Sequence, residues 1–407
     1  MKPLGPIPPG FNALDGELAV NGRKLSELAA GEGTPLFAYS ADLIRQRVAM
    51  LREAMPDRLS IHYAVKANPF APLLGLMVEL TDGFDIASAG ELAMAIAAGQ
   101  DARKISFAGP GKRDAELAEA IRHSVTLNLE SENEARRALV AADRLGVRPR
   151  LAIRVNPDFE LRGSGMKMGG GAKPFGLDAD RVAQLAREVI GAGAEWRGLH
   201  VFAGSQALDA ESVIEAQAKT LDLAARLSAE IGEALPHLNM GGGFGIPYFH
   251  GDSPLDVQAV GNALSERFAA LPPELESTEF AVELGRYLVG EAGVYLTRVV
   301  DRKESHGHIF LVTDGGLHHQ LAASGNFGTV VRRNYPLAIA NRFGADAVEE
   351  ASVVGCLCTP LDRMADQALL PRADVSDLIA VFCAGAYGAT ASPSAFLGQG
   401  PATELLF

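Results

Sequence analysis

Features of secreted, membrane-spanning and nucleic-acid-binding chains are scarce in this sequence. The 407 residues include only three cysteines, Cys356, Cys358 and Cys383, an odd number gathered near the C-terminus. That excludes a disulfide framework and fits a reducing cytoplasm, where the protein is expected to reside. A zinc site through Cys356 and Cys358 would need further ligands, and no second CxC or Cys/His cluster lies beside them, so no metal is expected. No apolar run approaches the roughly 20 residues of a membrane span. The opening MKPLGPIPPGF places four prolines among its first nine residues, where a secretory signal would carry an apolar stretch. Basic clusters are not evident either, and a net charge of −13 repels phosphate backbones. Neither a membrane nor a nucleic acid is therefore expected as a partner.

What is present is an ordinary globular composition, 48% hydrophobic and 21% charged, in a chain longer than one typical core. Two domains follow. From residue 60, short β-branched or aromatic strings alternate with Ala- and Leu-rich helical segments: SIHYAVKA, GFDIAS, ISFAG, TLNLE, LAIRV, GLHVF, HLNMGGG and FAVELG. Eight successive βα alternations predict a (β/α)₈ TIM barrel over residues 35–285, close to the usual ~250 residues of that fold. An open doubly wound sheet is the alternative. After Gly285 the strings VYLTRVV, IFLVTD, YPLAIA, ASVVG and LIAVFCA are separated by turns, predicting a β domain of residues 286–407 together with 1–34. The stretch from Asn156 to Gly176 holds six glycines between Gly163 and Gly176 and reads as an active-site cover.

Barrel enzymes carry their chemistry at the C-terminal ends of strands. Lys66, Asp85, Arg154 and His200 fall at the ends of strands one, two, five and six. Strand seven runs into Gly241, Gly242 and Gly243, and strand eight carries Glu283 followed by Arg286. Singly, each has a bland reading: a solvated rim lysine, a satisfied histidine, a tight glycine turn. Together, an amine, a stackable ring, a glycine-rich anion cradle and an acid with an arginine nearby are the parts that hold pyridoxal phosphate.

The strings YAVKAN, FDIASAGE, HVFAGSQ, NMGGGFG, ELGR, GCLCTPLD and AGAYG carry a resemblance over nearly the whole chain. They resemble the fold-type III pyridoxal-phosphate decarboxylases of the ornithine, diaminopimelate and arginine group, whose barrel is of the alanine racemase-like type. PIPPGF and the longer HVFAGSQ are most similar to decarboxylases associated with the exosortase A system of bacteria. The resemblance implies α-decarboxylation of an L- or D-configured amino acid. It implies that Lys66 carries the cofactor, with Asp85 and Glu91 holding the lysine region by charge, that His200 stacks on the pyridine ring and that Glu283 faces the ring nitrogen. Gly242, Gly243, Ser205, Arg286 and Tyr387 would bind the phosphate. Cys358 would return a proton to Cα, and the active site would be shared across a homodimer, with the Cys358 segment and Tyr387 arriving from the neighbouring chain.

Departures from the family pattern bear on the substrate, for which Arg154, Thr359 and His318 are the residues in question. Thr359 follows the cysteine where relatives place an acid that pairs with a distal amine. TDGGLHHQLAASGN offers His318, His319 and Asn326 where diaminopimelate decarboxylases tend to carry Asn-Asp and Arg-Pro, although Arg332 or Arg333 would be available to a distal carboxylate. A substrate with an uncharged or masked distal end, such as an aminoacyl group on a carrier protein, follows from Thr359. The rival readings are an amino-acid racemase of the same barrel type, which needs no carboxylate at the ring nitrogen, and a non-catalytic pyridoxal-phosphate-binding protein, which needs no second domain.

Overall fold

The computed structural model describes every residue except 162, 164, 168 and 326–331. It contains two compact units: Val48–Gly245 with Pro254–Gly285, and Met1–Arg47 with Ile246–Ser253 and Arg286–Phe407.

The first unit is a closed parallel barrel. Its strands are β1 (Leu59–Ala64), β2 (Gly83–Ile86), β3 (Ile105–Phe107), β4 (Thr126–Leu129), β5 (Arg150–Asn156), β6 (Glu195–Val201), β7 (His237–Asn239) and β8 (Glu279–Leu284). Each pairs with the next, β8 pairs with β1, and the register Thr126↔Arg150 to Leu129↔Ile153 completes the ring between β4 and β5. All eight strands coincide with strings marked in the sequence, and the open-sheet alternative is set aside. The first seven strands are followed by helices α1 (Ala71–Leu80), α2 (Ala89–Ala97), α3 (Asp114–Arg122), α4 (Glu132–Leu145), α5 (Ala179–Gly191), α6 (Ala210–Ile231) and α7 (Val257–Ala269). Local chemistry sets their ends: the Ser88, Ser131 and Asp209 side chains accept the N–H three residues on, and Gly146 and Gly232 close α4 and α6 in left-handed geometry.

Strand alternation sorts this barrel into an apolar and a polar set. Ile61, Tyr63, Phe84, Phe107, Leu127, Ile153, Leu238, Phe280 and Val282 are buried, and their combined apolar area is the main stabilising term, at about 25 cal/mol per Å² removed from water. The alternate residues, His62, Asp85, Ser106, Asn128, Arg154, His200, Asn239 and Glu283, line two cavities instead. One of these is lined by the strand-end residues and the other by residues from the opposite end. A barrel interior this polar must satisfy its groups among themselves.

The second unit is β-rich. The order along its main sheet is Leu337–Ile339, Leu378–Val381, Gly293–Ser305, His308–Thr313, Glu349–Val354, Arg363–Leu370; Leu36–Tyr39 pairs with Gly293–Ser305, and Thr403–Leu406 with Leu36–Tyr39. Three tight hairpins, Asp15-Gly16, Asn21-Gly22 and His306-Gly307, have positive φ at both central residues, which matches strand twist.

Among the described residues, no helix is long and apolar enough to cross a membrane.

Candidate active site at the barrel mouth

Lys66 lies in a single 3₁₀ turn, Val65–Ala67, directly after β1, and its side chain lines the cavity at the barrel mouth. Its Nζ lies 5.5 Å from the centroid of the Phe202 ring, which follows β6. Both line a cavity of about 360 Å³ together with Asp85, Arg154, His200 and Glu283. Cavities of roughly this size and upward hold small cofactors.

His200 reaches this cavity through a bulge. The register of β6 on β5 shifts between Trp196 and Leu199, with Gly198 at φ +89 and no space for a side chain there, and beyond it His200 lies beside Arg154. His200 Nε2 stands 3.2 Å from Glu283 Oε2, within ion-pair reach, but not aligned as a hydrogen bond; neither ring nitrogen has a hydrogen-bond partner among the described residues. Both side chains are almost wholly buried. Burial pushes the Glu283 carboxyl up, yet the neighbouring His200, with Lys66 and Arg154, holds it at about 2. Glu283 is therefore an ionised carboxylate inside the barrel.

Beneath it runs a hydrogen-bonded set that the sequence reading missed. Asn239 donates from Nδ2 to Glu283 Oε2 at 3.4 Å and to Asp85 Oδ1 at 3.3 Å, while its Oδ1 accepts the Gly241 N–H at 2.9 Å. Asp85 Oδ2 lies 3.2 Å from His62 Nδ1. Burial pulls the His62 ring down, but Asp85 beside it outweighs that and raises its pKa. Asp85 thus belongs to the layer supporting the cavity as well as to its wall. Glu91 is engaged at the start of α2: its Oε2 accepts the Ala87 N–H at 2.6 Å. Burial raises the Glu91 pKa against the opposing pull of that bond and of Lys66.

The glycine turn after β7 approaches β8 too closely for any side chain. A Cβ on Gly242 would sit 1.9 Å from the Glu283 carbonyl oxygen, and Gly241 and Gly243 have φ of +70 and +90. Gly243 accepts the Ala207 N–H at 2.8 Å and abuts the Gly204 carbonyl, so Ser205, next to Gly204, is carried beside the turn. Neither Ser205 nor the glycines line the 360 Å³ cavity.

Arg154 is held from two sides. Its Nη1 donates to Glu130 Oε1 at 2.9 Å, and its guanidinium lies 5.1 Å from the Phe175 ring centroid. Glu130 also accepts the N–H groups of Gly109 and Gly176. Next to it, Lys112 Nζ pairs with Glu134 Oε1 at 2.7 Å, both almost fully buried, and donates to the Gly109 and Asn128 carbonyls. Burial lowers the Lys112 pKa and raises that of Glu134, outweighing their mutual attraction. Within the glycine-rich stretch, Gly169 donates to the Ala203 carbonyl, and Asn156 Nδ2 donates to the Gly171 carbonyl.

The remaining predicted residues belong to the β-rich unit. Arg286 donates from Nη1 to the Tyr248 hydroxyl at 3.2 Å and lies 4.9 Å from the Tyr387 ring centroid, and its buried Nε has no hydrogen-bond partner among the described residues. Tyr387 therefore meets Arg286 within one chain, whereas the expectation brought it from a neighbour. Cys356 and Cys358 are exposed and Cys383 is buried. Thr359 is half-buried, and its hydroxyl accepts the Leu361 N–H at 3.3 Å. His318 is fully buried, neither ring nitrogen has a hydrogen-bond partner among the described residues, and its ring packs 3.8 Å from that of His319. Asn326 lies outside the described residues. No group of His, Cys, Asp and Glu fit for a metal occurs among the described residues.

The cavity suits pyridoxal phosphate on this geometry. An amine stands at the mouth, an imidazole lines the cavity within 3.2 Å of a carboxylate, and that carboxylate stays ionised in burial. Comparison with known proteins agrees. Residues 41–290 match the family model described as pyridoxal-dependent decarboxylase, pyridoxal binding domain. The chain is 35% identical to an L-glutamyl-[BtrI acyl-carrier protein] decarboxylase of Niallia circulans, over 92% of this chain and 88% of the relative. It is 33% identical to a diaminopimelate decarboxylase of Aquifex aeolicus, over 95% and 90%. Among solved structures, diaminopimelate decarboxylase from Helicobacter pylori complexed with L-lysine superposes with a TM-score of 0.83 at 27% identity, covering 94% of each chain.

Proposed function

Because the chain belongs to the pyridoxal-dependent decarboxylases, we propose that its particular substrate is an amino acid with a masked distal end, presented on a carrier protein. The enzyme is a pyridoxal-phosphate-dependent amino-acid decarboxylase. The cofactor, when bound, supplies an electron sink for the pair left at Cα as CO₂ departs. Lys66 would hold it, the ring of His200 would cover one face, and Glu283, ionised although buried, would keep a proton on the ring nitrogen. Arg286, whose Nε has no partner among the described residues, is suited to a phosphate oxygen. Cys358 would return the proton to Cα, delivered by a second copy of the chain in a homodimer.

The observation that carries the substrate reading is Thr359. A hydroxyl stands where a free diamino acid would need a carboxylate, and that hydroxyl is turned to the Leu361 N–H. The carboxylate three positions on, Asp362, is buried and accepts the Leu317 and Leu357 N–H groups. The carrier-linked substrate of the Niallia circulans relative supports the same reading. Decarboxylation needs the α-amine and α-carboxylate free, so attachment to the carrier must run through the side chain, as in a γ-glutamyl thioester.

The test is CO₂ release from free lysine, ornithine, diaminopimelate and glutamate beside a γ-glutamyl-loaded carrier protein. Turnover of the loaded carrier with poor use of the free amino acids is expected. Release from a free diamino acid at about 1–10³ s⁻¹, the ordinary enzyme range, would sink the reading.

A further inference from the structure

We infer that the groove between α3 and α4 is the landing surface for an acidic carrier protein, an inference that rests on the carrier-linked substrate proposed above. The groove has a volume of about 410 Å³ and is lined by Ala118, Arg136, Arg137, Val140, Ala141 and Arg144. Arg136, Val140 and Arg144 recur every four residues and so form one stripe along α4, cation, apolar, cation, about 12 Å from end to end at 1.5 Å per residue. Val140 is 51% exposed, on a helix that buries Ala135, Ala138 and Ala142 on its other side.

Charge makes the stripe distinctive. From residue 135 to 150 the sequence carries five arginines against one aspartate, a net of +4 within a chain of −13, contrary to the expectation of no basic cluster. Two of the five are committed to structure. Arg148 donates to the Gly193 and Ala194 carbonyls, and Arg150 is buried against Glu195 and the Arg103 and Ser124 carbonyls. Arg137 pairs with Asp114 at 2.8 Å. Arg136 and Arg144 form no ion pair among the described residues and are exposed. An acidic helix with carboxylates flanking an apolar residue is the complement of this stripe, and opposite charges at a rim mainly raise the rate and specificity of encounter.

The groove also begins where the wall of the active-site cavity ends. At its upper end Arg137 Nη2 donates to the Lys112 carbonyl at 2.8 Å, and Lys112 lines the cavity through its side chain. Pro110 and Gly111, which precede Lys112 and also line the cavity, are both exposed, and nothing among the described residues stands within 4 Å of where a Cβ on Gly111 would be. A thiol-bearing arm from a carrier seated on the stripe has this open sill as its route to Lys66.

The double variant R136E/R144E tests the assignment, assayed with a γ-glutamyl-loaded acyl-carrier protein and with the γ-glutamyl thioester of pantetheine alone. The expected result is a fall of about tenfold or more in kcat/KM for the loaded carrier, with the pantetheine thioester turned over as before, which also shows that the variant is folded. Equal kcat/KM for the loaded carrier in both proteins overturns the surface while leaving the substrate reading intact. An equal fall for both substrates, accompanied by a change of oligomeric state in sedimentation, also overturns it and gives the stripe to contact between copies of the chain. If the unaltered enzyme ignores the loaded carrier, both the surface and the carrier-linked reading fail.

Discussion

Asn239 ties Glu283 to the glycine turn: one end of its amide donates to the Glu283 carboxylate at 3.4 Å, and the other accepts the Gly241 N–H at 2.9 Å. One side chain thereby registers Glu283, the proposed partner of the ring nitrogen, against the segment expected to cradle the phosphate. Asn239→Ala leaves Glu283 and Asp85 without their shared donor and Gly241 without its acceptor. Cofactor affinity is expected to fall by about one to two orders of magnitude, from ~1–3 kcal/mol for buried groups left unsatisfied. Titration of apoenzyme with pyridoxal phosphate measures it. Asn239→Asp restores the acceptor but places a third carboxylate beside Asp85 and Glu283, so it should not rescue affinity.

Gly242 allows that registration. A methyl group there meets the Glu283 carbonyl at 1.9 Å, backbone against backbone, with no flexible side chain to give way. Gly242→Ala is expected to destabilise the barrel by about 1–3 kcal/mol and to weaken cofactor binding; thermal unfolding with and without pyridoxal phosphate separates the two effects.

The Lys112–Glu134 pair is a specific test of buried charge. Removing the ammonium in Lys112→Met strands Glu134, which should cost about 3–5 kcal/mol, whereas Lys112→Met with Glu134→Leu should recover much of the loss. Denaturant melts of the single and double variants decide this, and a double variant no more stable than the single would contradict it.

Glu283 predicts a pH dependence of definite sign. Its folded pKa of about 2 lies below the ordinary 4.5, so the unfolded chain binds more protons between those values. The stability that this carboxylate contributes is fully present above about pH 4.5 and is lost as pH falls toward 2. The stability difference between apoenzyme and its Glu283→Gln variant should shrink over that window.

Thr359→Asp should return a carboxylate to the position after Cys358. Decarboxylation of free lysine or ornithine is expected to rise in this variant relative to wild type, read as kcat/KM from CO₂ release.

The barrel was legible because short β-branched or aromatic strings alternate with Ala- and Leu-rich helical segments, a signal that recurs eight times. The glycine run after β7 was legible as a local string in the same way. Asn239 was not, since its importance depends on Asp85 and Glu283, 154 and 44 residues away in the chain, converging on it. Lys112, Glu130 and Glu134 are likewise defined by proximity and not by any string. The strand Arg363–Leu370, RMADQALL, carries helix-favouring residues and takes its conformation from pairing with Glu349–Val354. Asp15-Gly16 and Asn21-Gly22 are hairpin signals readable in the sequence that were not singled out above.

Two lysines line the barrel-mouth cavity, Lys66 and Lys112, and Lys112 pairs with the buried Glu134 carboxylate and donates to two carbonyls. Borohydride reduction of the holoenzyme, which fixes a pyridoxyl group to the lysine that carries it, followed by peptide mass mapping, separates them. The account predicts the added mass on the peptide containing Lys66 and none on that containing Lys112, and its loss in Lys66→Ala. Label on Lys112, or label that persists in Lys66→Ala, would contradict the assignment of the barrel mouth to Lys66.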